Sequence, residues 1–270
     1  MQSFGSVWTT KKMDAIEQYL AAYTQIMKHQ KFKLCYIDAF AGSGSIALKD
    51  GQTVDGSAIR ALRYPFNKFF FFEKDTEYYE ALSKKAADHM RRDDITIKNT
   101  DCNEMLAKIG AYGWRKNKWR GVIFLDPYAM QLPWETLVNI SQTEIFDVWY
   151  LFPFMAVNRN LFKSREIPAE NRVILDQVLG RPDWENEIYK ASPQMNLFGT
   201  IDYEKQDVDG VKAYIIKRLK ETFPTVASNP ALLCNDNNSP IFMLCFAGSN
   251  PDRKAHDASL RVANYILAHI

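Results

Sequence analysis

Apolar positions along the chain fall into two kinds of run. Continuous apolar blocks at 34–38, 68–73, 121–126 and 145–152 are too short for typical helices and read as strands buried on both faces. The second block holds four consecutive phenylalanines, and a shorter run at 95–98 reads as a further strand. Between the blocks the spacing changes to a helical one. Met13, Ile16, Leu20, Tyr23 and Met27 predict a helix over 8–29, with Thr9 or Thr10 able to cap its start. Helices are also expected over 57–63, 76–90 and 103–109, with a polar segment at 49–56. Strand–helix alternation of this kind implies a parallel sheet with right-handed crossovers.

Beyond residue 153 the pattern is helical with polar linkers: 169–179, stopped by Gly180, then 184–190 and 211–223. Two short apolar runs, 231–234 and 241–246, then flank the turn-like Asn235-Asp236-Asn237-Asn238-Ser239, predicting an antiparallel hairpin closed by a helix over 257–268. The expected fold class is α/β: a Rossmann-like, mostly parallel sheet with a terminal antiparallel hairpin and a helical insertion. The expected division is a cofactor-binding core with its N-terminal helix (1–153), a helical insertion on the substrate or partner side (154–228), and a hairpin and closing helix that complete the core (229–270). No internal repeat or low-complexity tract interrupts it.

Composition changes this picture little. A chain of 270 residues with 47% hydrophobic and 24% charged residues is ordinary for a soluble globular protein. A net charge of only +2 means that any affinity for nucleic acid must come from a local patch. The four cysteines are scattered, and Cys35 and Cys245 sit in apolar runs as buried free thiols, suggesting a reducing cytosol. The N-terminus carries no apolar signal core, and the apolar stretch 148–157 is short and broken by Pro153, so a cytoplasmic protein is expected, with no membrane partner. His29, His89, His256 and His269 are isolated from one another, and no metal site is expected.

The chemistry concentrates where strands end. Asp38 closes the first strand, and Gly42 and Gly44 follow in the run Asp38-Ala39-Phe40-Ala41-Gly42-Ser43-Gly44. The glycines let the backbone turn sharply and approach a ligand closely at the carboxyl end of the sheet, where nucleotide-like cofactors bind. A carboxylate at Asp38 suits a cationic group such as the amino end of S-adenosylmethionine and would repel a pyrophosphate. A dinucleotide reading competes, because Gly42-x-Gly44-x-x-Ala47 also fits that fingerprint. The next strand-ending acid, however, is Glu73, 29 positions beyond Gly44 rather than about 20. Glu73 lies where a ribose diol would lie, with a salt bridge to Lys74 or a helix cap as its structural alternative. Asp101 and Cys102, past the third strand, are placed at the adenine edge, or are loop polarity.

Asp126-Pro127-Tyr128 ends the fourth strand, beside the first at the switch point. There a carboxylate can accept hydrogen bonds from a target N–H, proline stiffens the turn, and an aromatic can stack on a flipped base. The alternative is that Asp126 caps the next helix and Tyr128 packs beneath the cofactor. Arg159, Lys163 and Arg165 follow the fifth strand on the same side and are expected to contact substrate phosphates. Two other basic clusters, 28–33 and 112–120, enter strands at the amino edge and read as solvated surface.

These residues resemble the three-Cys-motif partner (TcmP) family of bacterial proteins. The likeness is carried by Lys11 and Lys12, the run from Tyr36 to Gly44, Asp55-Gly56-Ser57, Phe72-Glu73-Lys74-Asp75, Leu125-Asp126-Pro127-Tyr128, the run from Phe146 to Phe154, Val157-Asn158-Arg159, Leu179-Gly180 and Trp184. More distantly the pattern is similar to Rossmann-fold methyltransferases acting on adenine N6, which carry Asp-Pro-Pro-Tyr or Asn-Pro-Pro-Tyr where this chain has a single proline. The resemblance implies S-adenosylmethionine held by Asp38, Phe40, Ala41, Gly42, Ser43, Gly44, Glu73, Lys74, Asp101 and Cys102. It implies Asp126, Pro127 and Tyr128 at the transfer step, on an exocyclic amine of a nucleic-acid base. It also implies a neighbouring three-Cys-motif protein as partner, and leaves open a cofactor-binding subunit without methyl transfer of its own.

Overall fold

The computed structural model describes residues 7–48, 51–163, 165–195 and 201–270. Lys49 and Asp50 of the expected polar segment, and Ser164 between Lys163 and Arg165, lie outside the described residues. In chain order the elements are α1 (Val7–Met27), β1 (Lys33–Asp38), β2 (Ser45–Ala47), β3 (Thr53–Asp55), α2 (Ser57–Ala61), β4 (Lys68–Glu73), α3 (Thr76–Ala87) and β5 (Ile95–Asn99). They continue with α4 (Cys102–Leu106), β6 (Trp119–Leu125), α5 (Trp134–Ser141), β7 (Phe146–Phe152), α6 (Phe154–Asn160), α7 (Ala169–Leu179), α8 (Glu185–Ile188), β8 (Tyr189–Met195) and β9 (Ile201–Lys205). The chain closes with α9 (Val208–Thr222), β10 (Thr225–Val226), β11 (Ala231–Cys234), β12 (Pro240–Gly248) and α10 (Arg253–Ala268).

The main sheet runs β10-β12-β7-β6-β1-β4-β5, with β11 also paired to β12. From β5 to β7 every pairing is parallel, and β12 joins β7 antiparallel. This is the expected Rossmann-like sheet with its terminal hairpin. The order reverses between β1 and β6, which opens a crevice beyond their carboxyl ends. Side chains alternate between two cores. Cys35, Ile37, Ile123 and Leu125 face a layer that includes Leu137, Leu175, Val211 and Ile215. Leu34, Tyr36, Val122 and Phe124 face α1, α2 and α10 through residues such as Ile16, Ala58 and Ile266.

Three features depart from the periodicity. Residues 184–190 have helical apolar spacing, but the helix ends at Ile188, and Tyr189–Met195 pairs antiparallel with Ile201–Lys205. Tyr189 is already extended and pairs with Lys205, so the strand begins where the helix was expected to continue. The stretch expected to be a helical insertion therefore contains a hairpin. It also contains β10, whose Thr225 and Val226 pair with Gly248 and Ala247 at the edge of the main sheet. Finally, α5 and the small β2–β3 hairpin are additional to the expected elements; α5 carries Trp134, Leu137 and Ile140 at helical spacing.

Candidate active site

The glycine loop lies across the ends of two strands. The Ala39 amide donates to the Phe124 carbonyl (3.1 Å) and the Ala41 amide to the Phe72 carbonyl (3.0 Å), tying the loop over β6 and β4. Gly42 and Gly44 hold φ of +61° and +72°, a region L side chains disfavour. A Cβ on Gly44 would sit 2.8 Å from Leu82 Cδ1, whereas one on Gly42 would meet nothing within 4 Å. Gly44 is thus required by packing. Gly42 presents bare backbone to open space, and Phe40 and Ala41 contribute packing behind it, Phe40 partly buried and Ala41 fully.

Glu73 organises this loop. Its carboxylate accepts from the Gly42 amide (2.7 Å) and from the Asp75 amide (2.8 Å), so the acid at the end of β4 fixes both the glycine turn and the entry to α3. Lys74 pairs instead with Asp101 (3.1 Å), whose other oxygen caps α4 at the Asn103 amide (2.9 Å). Burial alone would raise the Asp101 carboxyl, but the Asn103 amide and the Lys74 ammonium outweigh it and hold it below the usual range. Cys102 belongs to the core: its thiol is pushed up to about 12, first by burial and then by Asp101. It is buried there and accessible over only 3% of its surface.

Asp38 departs most from expectation. Its parity along β1 is that of Leu34 and Tyr36, so the carboxyl turns toward α1 and α2 and is 0% exposed. It accepts from the Ser57 hydroxyl, the Phe40 amide (3.4 Å) and the Tyr36 hydroxyl (3.4 Å). Burial pushes it up to about 7; Ser57 opposes that rise and the charge of nearby Asp126 adds to it. Asp38 therefore sits beneath the loop, bonded to its own chain, and offers no free surface to a ligand. Ser57 belongs to the Asp55-Gly56-Ser57 motif, which gains a concrete role here.

Asp126 meets the other new partner, Lys12 of α1. The Lys12 ammonium forms an ion pair with Asp126 Oδ2, with side chains 9% and 21% exposed, and lies 5.2 Å from the Trp8 ring. Trp8 in turn contacts Phe242 at the start of β12 (5.0 Å). The first turns of α1 thus close one wall of the crevice. Asp126 is not a helix cap, because the next helix begins at Trp134. Pro127 is buried and Tyr128 is 64% exposed, with Ala129 at a φ of +53° directly after it. Tyr128 therefore projects from the turn rather than packing beneath it. Asn103 braces the same turn: its amide donates to the Gln131 carbonyl (2.9 Å) and its carbonyl accepts from Thr136 (2.9 Å).

The basic residues after β7 separate. Arg159 is exposed on α6, and Lys163 is exposed just beyond it. Arg165 is bound within the fold: it donates to Glu185 (3.2 Å) and Asn186 (2.6 Å) and lies 4.7 Å over the Tyr203 ring. Lys205 closes the carboxyl end of α6 by donating to Asn158 and Leu161, and its pKa is lowered by burial and by Lys163. Among the described residues no cluster of three or more His, Cys, Asp or Glu is arranged to hold a metal ion, and no helix is long and apolar enough to cross a membrane.

No family model matches the chain, and comparison with curated proteins finds no match. Among solved structures, the chain is similar to Legionella pneumophila LPL1258, described under the family model DUF519, at 14% identity and a TM-score of 0.48, covering 94% of this chain and 92% of that one. A Listeria monocytogenes structure described as an S-adenosylmethionine-dependent methyltransferase aligns at 12% identity and a TM-score of 0.38, over 88% of this chain and 98% of that one. Trm1 from Pyrococcus horikoshii, solved with S-adenosyl-L-methionine, aligns at 13% identity and 0.37, over 94% and 72%.

Proposed function

We propose that this chain is an S-adenosylmethionine-dependent methyltransferase acting on an exocyclic amine of a nucleic-acid base. The observation that carries this reading is the geometry of Asp126 and Tyr128. A carboxylate beside the glycine loop sits next to an aromatic ring projecting from the same rigid turn. The bound cofactor supplies an electrophilic methyl group. The residues that fit it are the bare backbone at Gly42 and Ser43, the Glu73 carboxylate with lone pairs to spare, and the Lys74–Asp101 pair at the crevice edge. Asp38 serves from below, through Ser57 and the Phe40 amide, rather than by direct contact.

Asp126 accepts the N–H of the amine and orients its lone pair, Pro127 fixes the turn, and Tyr128 stacks the extruded base. Lys12 holds Asp126 in place from the side and keeps its charge compensated in the part-buried crevice. Arg159 and Lys163 take the phosphates of the strand. Calorimetric titration separates this reading from a dinucleotide site: S-adenosylmethionine binds and NAD does not. Binding of NAD alone overturns it.

A second reading draws on one observation, that the acceptor Asp126 is already ion-paired with Lys12. In that reading the chain binds the cofactor as a partner subunit of a three-Cys-motif protein and transfers no methyl group itself.

A further inference from the structure

Two basic segments that enter strands at the amino edge are set side by side by the fold. Residues 28–33 (Lys-His-Gln-Lys-Phe-Lys) and 115–120 (Arg-Lys-Asn-Lys-Trp-Arg) hold seven Lys and Arg and no acid, in a chain whose net charge is +2. The two segments are a local excess of positive charge, seven of the chain's 34 Lys and Arg with no acid between them. The parallel pairing of β1 with β6 aligns Lys33 with Trp119 and Leu34 with Arg120, and the Lys33 amide donates to the Lys118 carbonyl (2.9 Å). Each segment places a cation over the other's ring. Lys33 Nζ lies 5.7 Å from the Trp119 ring centre, and the Arg120 guanidinium lies 4.5 Å from that of Phe32.

Two of the cations face acids and the exposed lysines do not. Arg115 pairs with Glu144, and the charges of Asp147 and Asp252 reach Arg120. Lys28, Lys31, Lys116 and Lys118 are exposed and have no ion-pair partner among the described residues. Phe32 is 36% exposed and Tyr112, beside Trp114 at 5.4 Å, is exposed as well. Each strand is about 20 Å long, so this surface lies roughly that far from the Asp126 crevice, across the sheet.

We infer that this amino edge is a second docking surface, for the phosphate backbone of a single-stranded nucleic acid. Like charges crowded on one face cost free energy unless a polyanion relieves them, and release of its counterions drives association. Interleaved rings distinguish such a surface from a plain anion-attracting one, because unpaired bases stack on exposed aromatics. An acidic membrane would satisfy the charge but presents no unpaired base to stack on the exposed rings. None of these residues serves the methyl-transfer reading, so the two stand or fall separately.

The test is fluorescence anisotropy of a labelled single-stranded RNA of about 20 nucleotides, titrated with the full chain across a range of NaCl concentrations. Lys28→Gln/Lys31→Gln/Lys116→Gln is expected to weaken binding at least tenfold at low salt. It is also expected to reduce the slope of log K against log salt by about 2, close to 0.7 for each single-strand phosphate that a lysine no longer neutralises. Phe32→Ala is expected to weaken binding several-fold without changing that slope. The reference is Arg159→Glu/Lys163→Glu at the carboxyl edge, whose loss should combine additively with the amino-edge loss. Unfolding midpoints of all variants are measured alongside, and the exposed lysine changes are expected to leave them unmoved. The proposal is overturned if the triple variant binds with wild-type affinity and slope, or if phosphatidylserine vesicles bind through these lysines while the RNA does not.

Discussion

Two carboxylates end neighbouring strands and meet opposite fates. Asp126 has a cation, Lys12, at its side, whereas Asp38 is enclosed by neutral donors and feels the Asp126 charge. Burial, with the Asp126 charge adding to it, keeps a proton on Asp38 up to about pH 7. An unfolded aspartate titrates near 3.9, while Asp38 in the fold titrates near 7. Between those values the folded chain holds a proton that the unfolded chain has lost. This contribution is therefore full below the lower value, fades as pH rises, and is gone above the upper one. The groups facing Asp38 are Tyr36, Ser57, the Phe40 amide and Asp126. Asp38→Asn removes the titration, so urea unfolding from pH 5 to pH 8 should show the wild type losing about 2.5 kcal/mol more than the variant. Asp147, pushed up to about 6 by burial, titrates in both proteins and cancels in the comparison. Equal pH dependence in the two would contradict the buried position of Asp38.

At the scale of elements, the glycine loop and the hairpin beside α6 separate ligand contact from architecture. Gly44→Ala puts a methyl against Leu82 as well as straining φ, so it should lower stability by about 2–4 kcal/mol. Gly42→Ala strains φ alone, costing about 1–2 kcal/mol, but it fills the open face of the loop. Its cofactor affinity should fall at least tenfold, measured by calorimetry on protein shown to be folded. The hairpin makes a parallel distinction among the basic residues. Arg159→Glu/Lys163→Glu should reduce nucleic-acid affinity and its salt slope at unchanged stability. Arg165→Ala should lower the unfolding midpoint by loosening Glu185, Asn186 and Tyr203. An unchanged salt slope in the first variant would remove these residues from the substrate path.

These elements also show what could be read from residues alone. Continuous apolar blocks located β1, β4, β6 and β7, and the capping Gly180 located the end of α7, because burial on both faces and a left-handed stop leave local marks. The β2–β3 and β8–β9 hairpins left none: they are short, partly polar, and in β8 interrupted by a proline. At the site, position along a strand was legible but the facing of a side chain was less so. Asp38 was placed correctly at the strand end, while the Ser57 hydroxyl and the Phe40 amide enclose it beneath the glycine loop. Lys12 and Ser57 come from α1 and α2, far along the chain from the residues they bind. Only their place in the family resemblance marked them.

For the whole molecule, the sheet reverses its order at β1 and β6, and the two proposed readings assign one role to each end of its strands. The carboxyl edge carries Glu73, Asp126, the glycine loop and Tyr128, and the amino edge carries the exposed Lys28, Lys31, Lys116 and Lys118. The two are separated by one strand length. The measurement that tests the central claim most directly is transfer of a labelled methyl group from S-adenosylmethionine to pools of RNA and DNA, by the wild type and by Asp126→Ala, with cofactor affinity measured on both. The wild type should label a nucleic-acid pool, and the variant should label none while binding the cofactor within a few-fold of wild type. A wild type that binds the cofactor yet labels no pool, or a variant that loses cofactor binding along with transfer, would contradict the role given to Asp126.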